Sequence, residues 1–295
     1  MNAGAIFPQT ECGSDVEVIG EFVRAVEQMG YDHLFVADHV LGADPAHHSH
    51  PSLATYSHEA VVHEALTLMA YLAAITTRIT LASGILILPQ RQTALVAKQA
   101  AQIDVLSGGR LRLGIGVGWN AVEFEALNET FENRGARSAE QIEVMRLLWT
   151  RPLVDFRGKF HRISHAGLNP MPIQRPIPIW FGVGSRERPV PPDAALRRIA
   201  RLADGWSPNF NPDGQGKALV ERVHQYARDA GRDPATLPLE GRVHLAGQDA
   251  DGWRKQVAAW KALGATSVIA EPRRGKLKFP DGHLDVLRRF KEEAL

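Results

Sequence analysis

Short apolar runs alternate with stretches of helical period along almost the whole chain. Residues 3–7 form an apolar run closed by Pro8, which predicts a first strand. Ser14 and Asp15 are good helix caps, and Val18, Ile19, Phe22, Val26 and Met29 then recur at helical spacing up to Gly30. A second strand over 33–37 runs into Asp38 and His39. After a polar segment at 42–56, residues 59–74 read as helix. Residues 78–88 are almost continuously apolar, as in a parallel strand buried on both faces. A helix over 93–106 ends at Ser107-Gly108-Gly109 and leads into a fourth strand beginning at Leu111, followed by a short helix at 121–127.

The rhythm then breaks. Residues 139–149 are helical, but 154–163 read as a hairpin turning near Gly158, and 168–178 are extended and rich in proline. This region, about 129–178, is an insertion rather than a domain boundary. The alternation resumes with strands at 177–181, 205–207, 242–245 and 266–270 and helices at 194–203, 218–230, 253–263 and 284–293. Eight strand-then-helix units predict an α/β fold, one domain over 1–295, built as a (β/α)8 TIM barrel with an insertion between strands four and five. A doubly wound sheet is the rival arrangement.

The fourth strand is unusual. Side chains alternate along a strand, so Leu111, Leu113, Ile115 and Val117 share one face while Gly114, Gly116 and Gly118 leave the other bare. A glycine row packs nothing and weakens a strand, so it marks either close approach by something large or a crowded barrel interior.

Composition narrows the class. The 295 residues are 44% hydrophobic and 23% charged, ordinary for a globular protein. Lys+Arg 34 against Asp+Glu 33 makes no basic field for nucleic acid. A single cysteine, Cys12, excludes an internal disulfide and a cysteine zinc site. No apolar run is long enough for a bilayer and no signal pattern opens the chain, so a cytoplasmic protein with no membrane partner is expected.

In a TIM barrel the chemistry lies at the C-terminal ends of the strands. That rule selects Pro8-Gln9, Asp38-His39, the stretch from Gly84 to Pro89, Gly118-Trp119-Asn120, the stretch from Gly182 to Arg186, Trp206 to Asn209, and Glu271 to Arg274. Gly116-Val117-Gly118-Trp119-Asn120-Ala121 also has the form G-x-G-x-x-A of a dinucleotide fingerprint, but it falls mid-chain without a following ribose-binding acid.

Five motifs, in order, resemble the luciferase-like monooxygenase superfamily, with the closest look to its coenzyme F420-dependent oxidoreductase branch. They are Tyr31 to His39, Ser83 to Pro89, Leu106 to Trp119 with Glu123 to Leu127, Ile179-Trp180-Phe181-Gly182, and Ala203-Asp204-Gly205-Trp206. The resemblance runs from about residue 3 to 206 and is looser beyond. It implies a barrel that binds F420 or, as the alternative, FMN. Hydride transfer between F420 and an unidentified small organic substrate is the expected activity. An FMN-dependent monooxygenase and a non-catalytic cofactor-binding homologue are the alternatives, and a homodimer is the expected assembly.

The resemblance also assigns roles. His39 is the expected acid/base, a residue type that titrates near neutrality, with Asp38 orienting it or bonding the cofactor. Ser83, Gly84 and Ile85 are expected to form a bulge behind the cofactor ring, around a non-proline cis peptide that the resemblance places in this strand without fixing the bond. Gly116 and Gly118 are expected to admit the ring, with Trp119 and Asn120 at the mouth. Gly182, Gly184, Ser185 and Arg186 resemble a phosphate-binding loop, although the longer run from Arg186 to Pro192 departs from the commoner pattern. Arg273, Arg274 and Lys276 are further candidates for an anionic cofactor tail. Glu123, on a helix, reads as a surface residue before a second acid. His47, His48, His50, His58 and His63 lack a metal-ligand spacing and read as part of a loop over the pocket mouth.

Overall fold

The computed structural model describes every residue except Arg186, Glu187, Arg274 and Lys276. The strands, in chain order, are β1 (Asn2–Ile6), β2 (His33–Val36), β3 (Thr80–Ser83), β4 (Leu86–Ile87), β5 (Leu111–Gly116), β6 (Val154–Arg157), β7 (Arg162–Ala166), β8 (Ile179–Val183), β9 (Gly205–Pro208), β10 (Leu239–His244) and β11 (Ala265–Glu271). The helices are α1 (Val16–Gln28), α2 (Ala65–Ile75), α3 (Thr93–Leu106), α4 (Ala121–Ala126), α5 (Arg134–Thr150), α6 (Asp193–Leu202), α7 (Gly214–Asp229), α8 (Ala250–Ala262) and α9 (Asp281–Ala294).

All pairings in the main sheet are parallel. β1 pairs with β2 and β11, β3 pairs with β2 and β5, and β8, β9 and β10 complete the circuit. The result is a closed barrel of eight strand positions, with β3 and β4 sharing the third, ringed by helices. The TIM barrel is therefore the observed fold, and the doubly wound sheet is not. No helix among the described residues is long and apolar enough to cross a membrane.

Two cores result. The larger lies between strands and helices and takes the outward strand residues, such as Leu34, Leu81, Leu113, Ile179 and Trp206, with Phe22, Leu66, Met69, Trp149 and Phe290 from the helices. The smaller fills the barrel itself with Ile6, Phe35, Ala82 and Ile269. Beneath it sits a buried charged layer. Glu240 contacts His33 Nε2 at 2.7 Å and Arg112 Nη2 at 3.1 Å, and accepts the Ser267 hydroxyl at 2.9 Å. The Arg112 guanidinium lies over the rings of Trp180 (4.3 Å) and Phe35 (4.8 Å). Burial alone would raise the Glu240 carboxyl, but Arg112 and His33 outweigh it and hold the group at about 2.

Between the fourth and fifth barrel strands, β6 and β7 form an antiparallel hairpin. Glu140 of α5 fastens it by accepting the backbone N–H groups of Lys159, Phe160 and His161 at 2.7–2.8 Å. α5 itself packs against α3 and α6, in line with the outer helices.

Several boundaries shift by a few residues, the helix read from 139 beginning at Arg134 among them, and two differences bear on the site. The helix expected from 59 starts at Ala65, because Glu64 is its N-cap and accepts Thr67 N–H at 2.6 Å. The residue before the cap is tied to the first strand's loop, where His63 N–H donates to Gln9 Oε1 at 2.8 Å. The third strand is not continuous: it breaks between β3 and β4 at a cis peptide bond, Gly84–Ile85.

The charged layer makes stability depend on acid. Glu240 lies below its ordinary value of 4.5 in the fold, so its contribution is complete above that value and is lost as pH falls towards 2. The shift corresponds to about 3 kcal/mol. Glu240→Gln is expected to be less stable at pH 7, because Arg112 is left buried without a counter-charge. It is also expected to lose less stability than wild type between pH 4.5 and 2, as urea unfolding at a series of pH values will show.

Candidate active site

The break in the third strand shapes the barrel mouth. Ile85 projects into the barrel end, between the bare faces of two neighbouring strands. A Cβ on Gly116 of β5 would lie 2.6 Å from Ile85 Cδ1, and one on Gly182 of β8 would lie 2.4 Å from Ile85 Cγ2. Deeper down, a Cβ on Gly114 would lie 2.0 Å from the Ser83 carbonyl oxygen, and the Ser83 hydroxyl donates to the Gly114 carbonyl at 2.7 Å. Further out, Gly118 (φ +72°) has the Ile87 side chain 2.6 Å from its Cβ position. Protein atoms of the third strand thus fill the space that the glycine row leaves. Gly84 and Ile85 are partly exposed, whereas their neighbours Ser83 and Leu86 are buried.

Asp38 anchors the strand just beyond this bulge. Its carboxylate accepts the Ile87 N–H at 2.9 Å and Arg91 Nη2 at 2.7 Å, and Arg91 also pairs with Glu64 at 2.9 Å. Burial pushes the Asp38 carboxyl up, and Arg91 and the Ile87 N–H oppose it. No hydrogen bond links Asp38 to His39 among the described residues. The carboxylate that orients the imidazole is Glu123.

Glu123 is fully buried, which overturns its reading as a surface residue. Its Oε2 is 3.1 Å from His39 Nδ1, and its Oε1 accepts the N–H groups of Val40 (2.6 Å) and Leu41 (3.2 Å). The local sequence explains the placement. Asn120 caps α4 through Val122 N–H at 3.3 Å, and Glu123 is the third helical residue. A Glu there commonly turns back to its own cap; this one reaches across to the loop after β2 instead. Asn120 Nδ2 donates to the Leu41 carbonyl at 3.2 Å and ties down the same loop.

Aromatic rings surround the imidazole. Tyr56 lies 4.5 Å from the His39 ring and Trp119 lies 5.5 Å from it, while His50 stacks on Trp119 at 4.2 Å. Beside them is a cavity of about 240 Å³, lined by His39, Val40, Leu41, Gly42, Tyr56, Ser57, His58, Ala60 and Val62. Of the other loop histidines, His47 pairs with Asp44 and His63 contacts the Gly13 carbonyl. No group of three or more His, Cys, Asp or Glu among the described residues is arranged to hold a metal ion.

Gly184 (φ +76°) and Ser185 form a separate turn. Ser185 N–H donates to the Arg188 carbonyl and Ser185 Oγ accepts Arg188 N–H, both at 3.0 Å. Asn209 Nδ2 donates to the Gly184 carbonyl at 3.0 Å. The candidates Arg186, Arg274 and Lys276 lie outside the described residues. Arg273 is described: it pairs with Glu271 and donates to the Tyr56 hydroxyl at 3.0 Å.

The predicted residues therefore fall into three groups. Ser83, Gly84, Ile85, Gly116, Gly118 and Gly182 gather around the bulge that Asp38 supports. His39, Trp119 and Asn120 gather around Glu123. Gly184 and Ser185 stand in their own turn.

The chain belongs to the luciferase-like monooxygenase family, whose model matches residues 4–291. It is 33% identical over 268 residues to the uncharacterized protein Rv0940c of Mycobacterium tuberculosis, covering 89% of this chain and 88% of that one. An FMNH(2)-dependent dimethylsulfone monooxygenase of Pseudomonas putida is 34% identical over 168 residues, 56% of this chain and 44% of that one. The fold matches an F420-dependent secondary alcohol dehydrogenase in complex with an F420-acetone adduct, with TM-score 0.78, 17% identity and coverage of 99% and 97% of the two chains. Members of the family are oxidoreductases and monooxygenases.

Two consequences are measurable. Gly182→Ala places a methyl against the branched Cγ2 of Ile85, and such overpacking typically costs about 1–3 kcal/mol. Ile85→Ala in the same chain should return part of that loss, a coupling that a double-mutant cycle of unfolding free energies will detect. Glu123→Ala takes the acceptor from the part-buried Val40 and Leu41 N–H groups, at about 0.5–1.5 kcal/mol for each hydrogen bond lost. A lower Tm and faster hydrogen exchange at Val40 and Leu41 are expected.

Proposed function

We propose that this protein transfers a hydride between coenzyme F420 and a small organic substrate, with His39 as the proton donor and acceptor. The observation that carries the reading is the pairing of His39 Nδ1 with a fully buried Glu123. A carboxylate on one ring nitrogen fixes the tautomer and turns the other, Nε2, to the reacting molecule. Proton transfer by a group held in this way contributes roughly 10²–10⁴-fold to rate.

The residues at the mouth fit a flat heterocycle. Ile85, flanked by the bare faces of Gly116 and Gly182, offers an apolar floor without charge. Ser207 on β9 pairs in register with Gly182, and its buried hydroxyl has no partner among the described residues. Trp119 and Tyr56 wall the space beside His39. Bound F420 would supply or accept a hydride at C5 of its deazaflavin. Ile85 would back the ring, Asp38 would hold Ile85's strand through Ile87 N–H, and the Gly182–Ser185 segment would face the phosphate. Glu123 would keep the His39 imidazole aimed at the substrate, and Trp119 with the loop after β2 would exclude water. The F420-dependent secondary alcohol dehydrogenase and an F420-dependent tetrahydromethanopterin reductase from Methanopyrus kandleri share this fold, which supports the choice of cofactor.

An FMN-dependent monooxygenase is the second reading, favoured by the dimethylsulfone monooxygenase at 34% identity. The proposal also includes a cytoplasmic homodimer, which sedimentation of the purified protein would test.

Titrating the apoprotein with F420 and with FMN, followed by fluorescence, decides between cofactors. F420 binding is the expected result, and tight FMN binding with no response to F420 would overturn the reading. Once a substrate is in hand, His39→Gln should lower kcat by roughly 10²–10⁴-fold and leave the Kd for F420 nearly unchanged. Loss of F420 binding in that variant would assign His39 to cofactor binding instead.

A further inference from the structure

The barrel mouth is electrostatically divided. The side built from β2, β4, β5 and β8 presents Ile85, glycines and the His39–Glu123 pair. The side built from β10 and β11 carries Arg242, His244 and Glu271, with Arg273 in the loop beyond. Alternation along β10 fixes the direction of these side chains. Glu240 reaches His33 and Arg112 inside the barrel, while a Cβ on Gly241 would meet Trp260 of α8 outside it. Arg242, two residues beyond Glu240, therefore faces inward, nearer the mouth.

Positive charge is in surplus there. Among the described residues, Glu271, only 6% exposed, is the carboxylate that these groups share. Its Oε1 holds Arg273, and its Oε2 takes Arg242 Nη1 and His244 Nδ1, both at 3.2 Å. Burial would raise Glu271, but Arg242 and Arg273 outweigh that and keep it ionised. Arg273 is committed on every side, to Glu271 and to the Tyr56 hydroxyl. Arg242 is not. A single Nη1 bond to Glu271 is its only one among the described residues, and its buried Nε has no partner. A mostly buried guanidinium with one edge unmatched suits bidentate recognition of a carboxylate or phosphate.

We propose that Arg242 is the receptor for a carboxylate or phosphate group bound in the barrel mouth, supported by Arg273 and His244. This rests on the reading of His39 as the reacting end of the same mouth. Arg273 is hydrogen-bonded to Tyr56, whose ring packs on His39, so the anion would sit across one tyrosine from the acid/base. The anionic group belongs either to the substrate, which would then be a small organic anion, or to the cofactor's own phosphate and glutamate tail.

The test begins with the apoprotein at low ionic strength, titrated calorimetrically with inorganic phosphate and with propionate. Wild type should bind one equivalent of at least one of them. Arg242→Gln should weaken that binding by roughly tenfold or more, and Arg242→Lys, which keeps the charge but not the fork, should be intermediate. Should Arg242→Gln fail to fold, the lysine variant carries the same comparison. The source of the anion follows from F420 and from its deazaflavin core stripped of phosphate and tail. If Arg242→Gln weakens F420 but not the core, the cofactor supplies the anion; if it weakens neither, the substrate does. The proposal is overturned if wild type binds neither phosphate nor propionate, or if the Arg242 variants bind them as tightly as wild type. An apoprotein that takes up neither F420 nor FMN would instead refute the functional reading, while the phosphate and propionate titrations would still decide the role of Arg242.

Discussion

A side chain can enter the inside of an eight-strand barrel only where its neighbours give up theirs. The interior is close-packed, and a single methyl group is enough to disturb it. This chain meets the constraint by pairing large inward residues with glycines one or two strands away. His33 occupies the place of a Cβ on Gly4, Trp180 that on Gly205, and Ile85 those on both Gly116 and Gly182. The first two pairings build the base of the barrel. The third builds its mouth, because Ile85 belongs to the part of the third strand that leaves regular pairing. Position of the bulge, flatness of the floor and room above it all follow from that one complementarity.

Electrostatics then divides the barrel by depth and by side. At the base, the buried Glu240 carboxylate is met by Arg112 and His33, so the charges there are paired within the layer. At the mouth, two carboxylates do different work. Glu123 is buried and holds an imidazole and two backbone N–H groups, so it fixes geometry. Glu271 is surrounded by cations and leaves a guanidinium edge unmatched, so it sets a field. Asp38, next to His39 in sequence, has neither task, since its bonds run to Ile87 and Arg91. Both residues lie in the loop after β2, and what each one meets there is set by the element packed against it: the third strand and Arg91 for Asp38, α4 for His39.

Much of the fold was legible in the sequence, and its failures have physical causes. The alternation of apolar runs and helical periods exposed all eight barrel positions, and α3 was read to its ends because a helical pattern meets a glycine stop. α2 was read too long because the residues before Glu64 continue in helix-compatible composition, while the distant partner of His63, Gln9, is invisible in a linear reading. The break in the third strand was hidden for a different reason. Apolar residues on both sides of Gly84 satisfy a buried strand whether or not it is continuous.

The site was legible as a set of strand ends, but not as a set of contacts. The glycine row was recognised as a bare face, yet what fills it comes from a strand some thirty residues earlier in the chain. Two of its glycines, Gly116 and Gly118, face Ile85 and Ile87, so any ring above would feel them chiefly through those side chains. Glu123 had a local signal, the Asn120 cap three positions before it. That signal equally fits an acid turned back on its own helix, and only the loop after β2 arriving overhead makes it a partner for His39. Arg242 had no signal at all. An arginine amid apolar strand residues is ambiguous until Gly241 beside it is seen to yield to Trp260 outside, which sends Arg242 inward. Strand periodicity states that neighbours face opposite ways; packing against α8 determines which way each one faces.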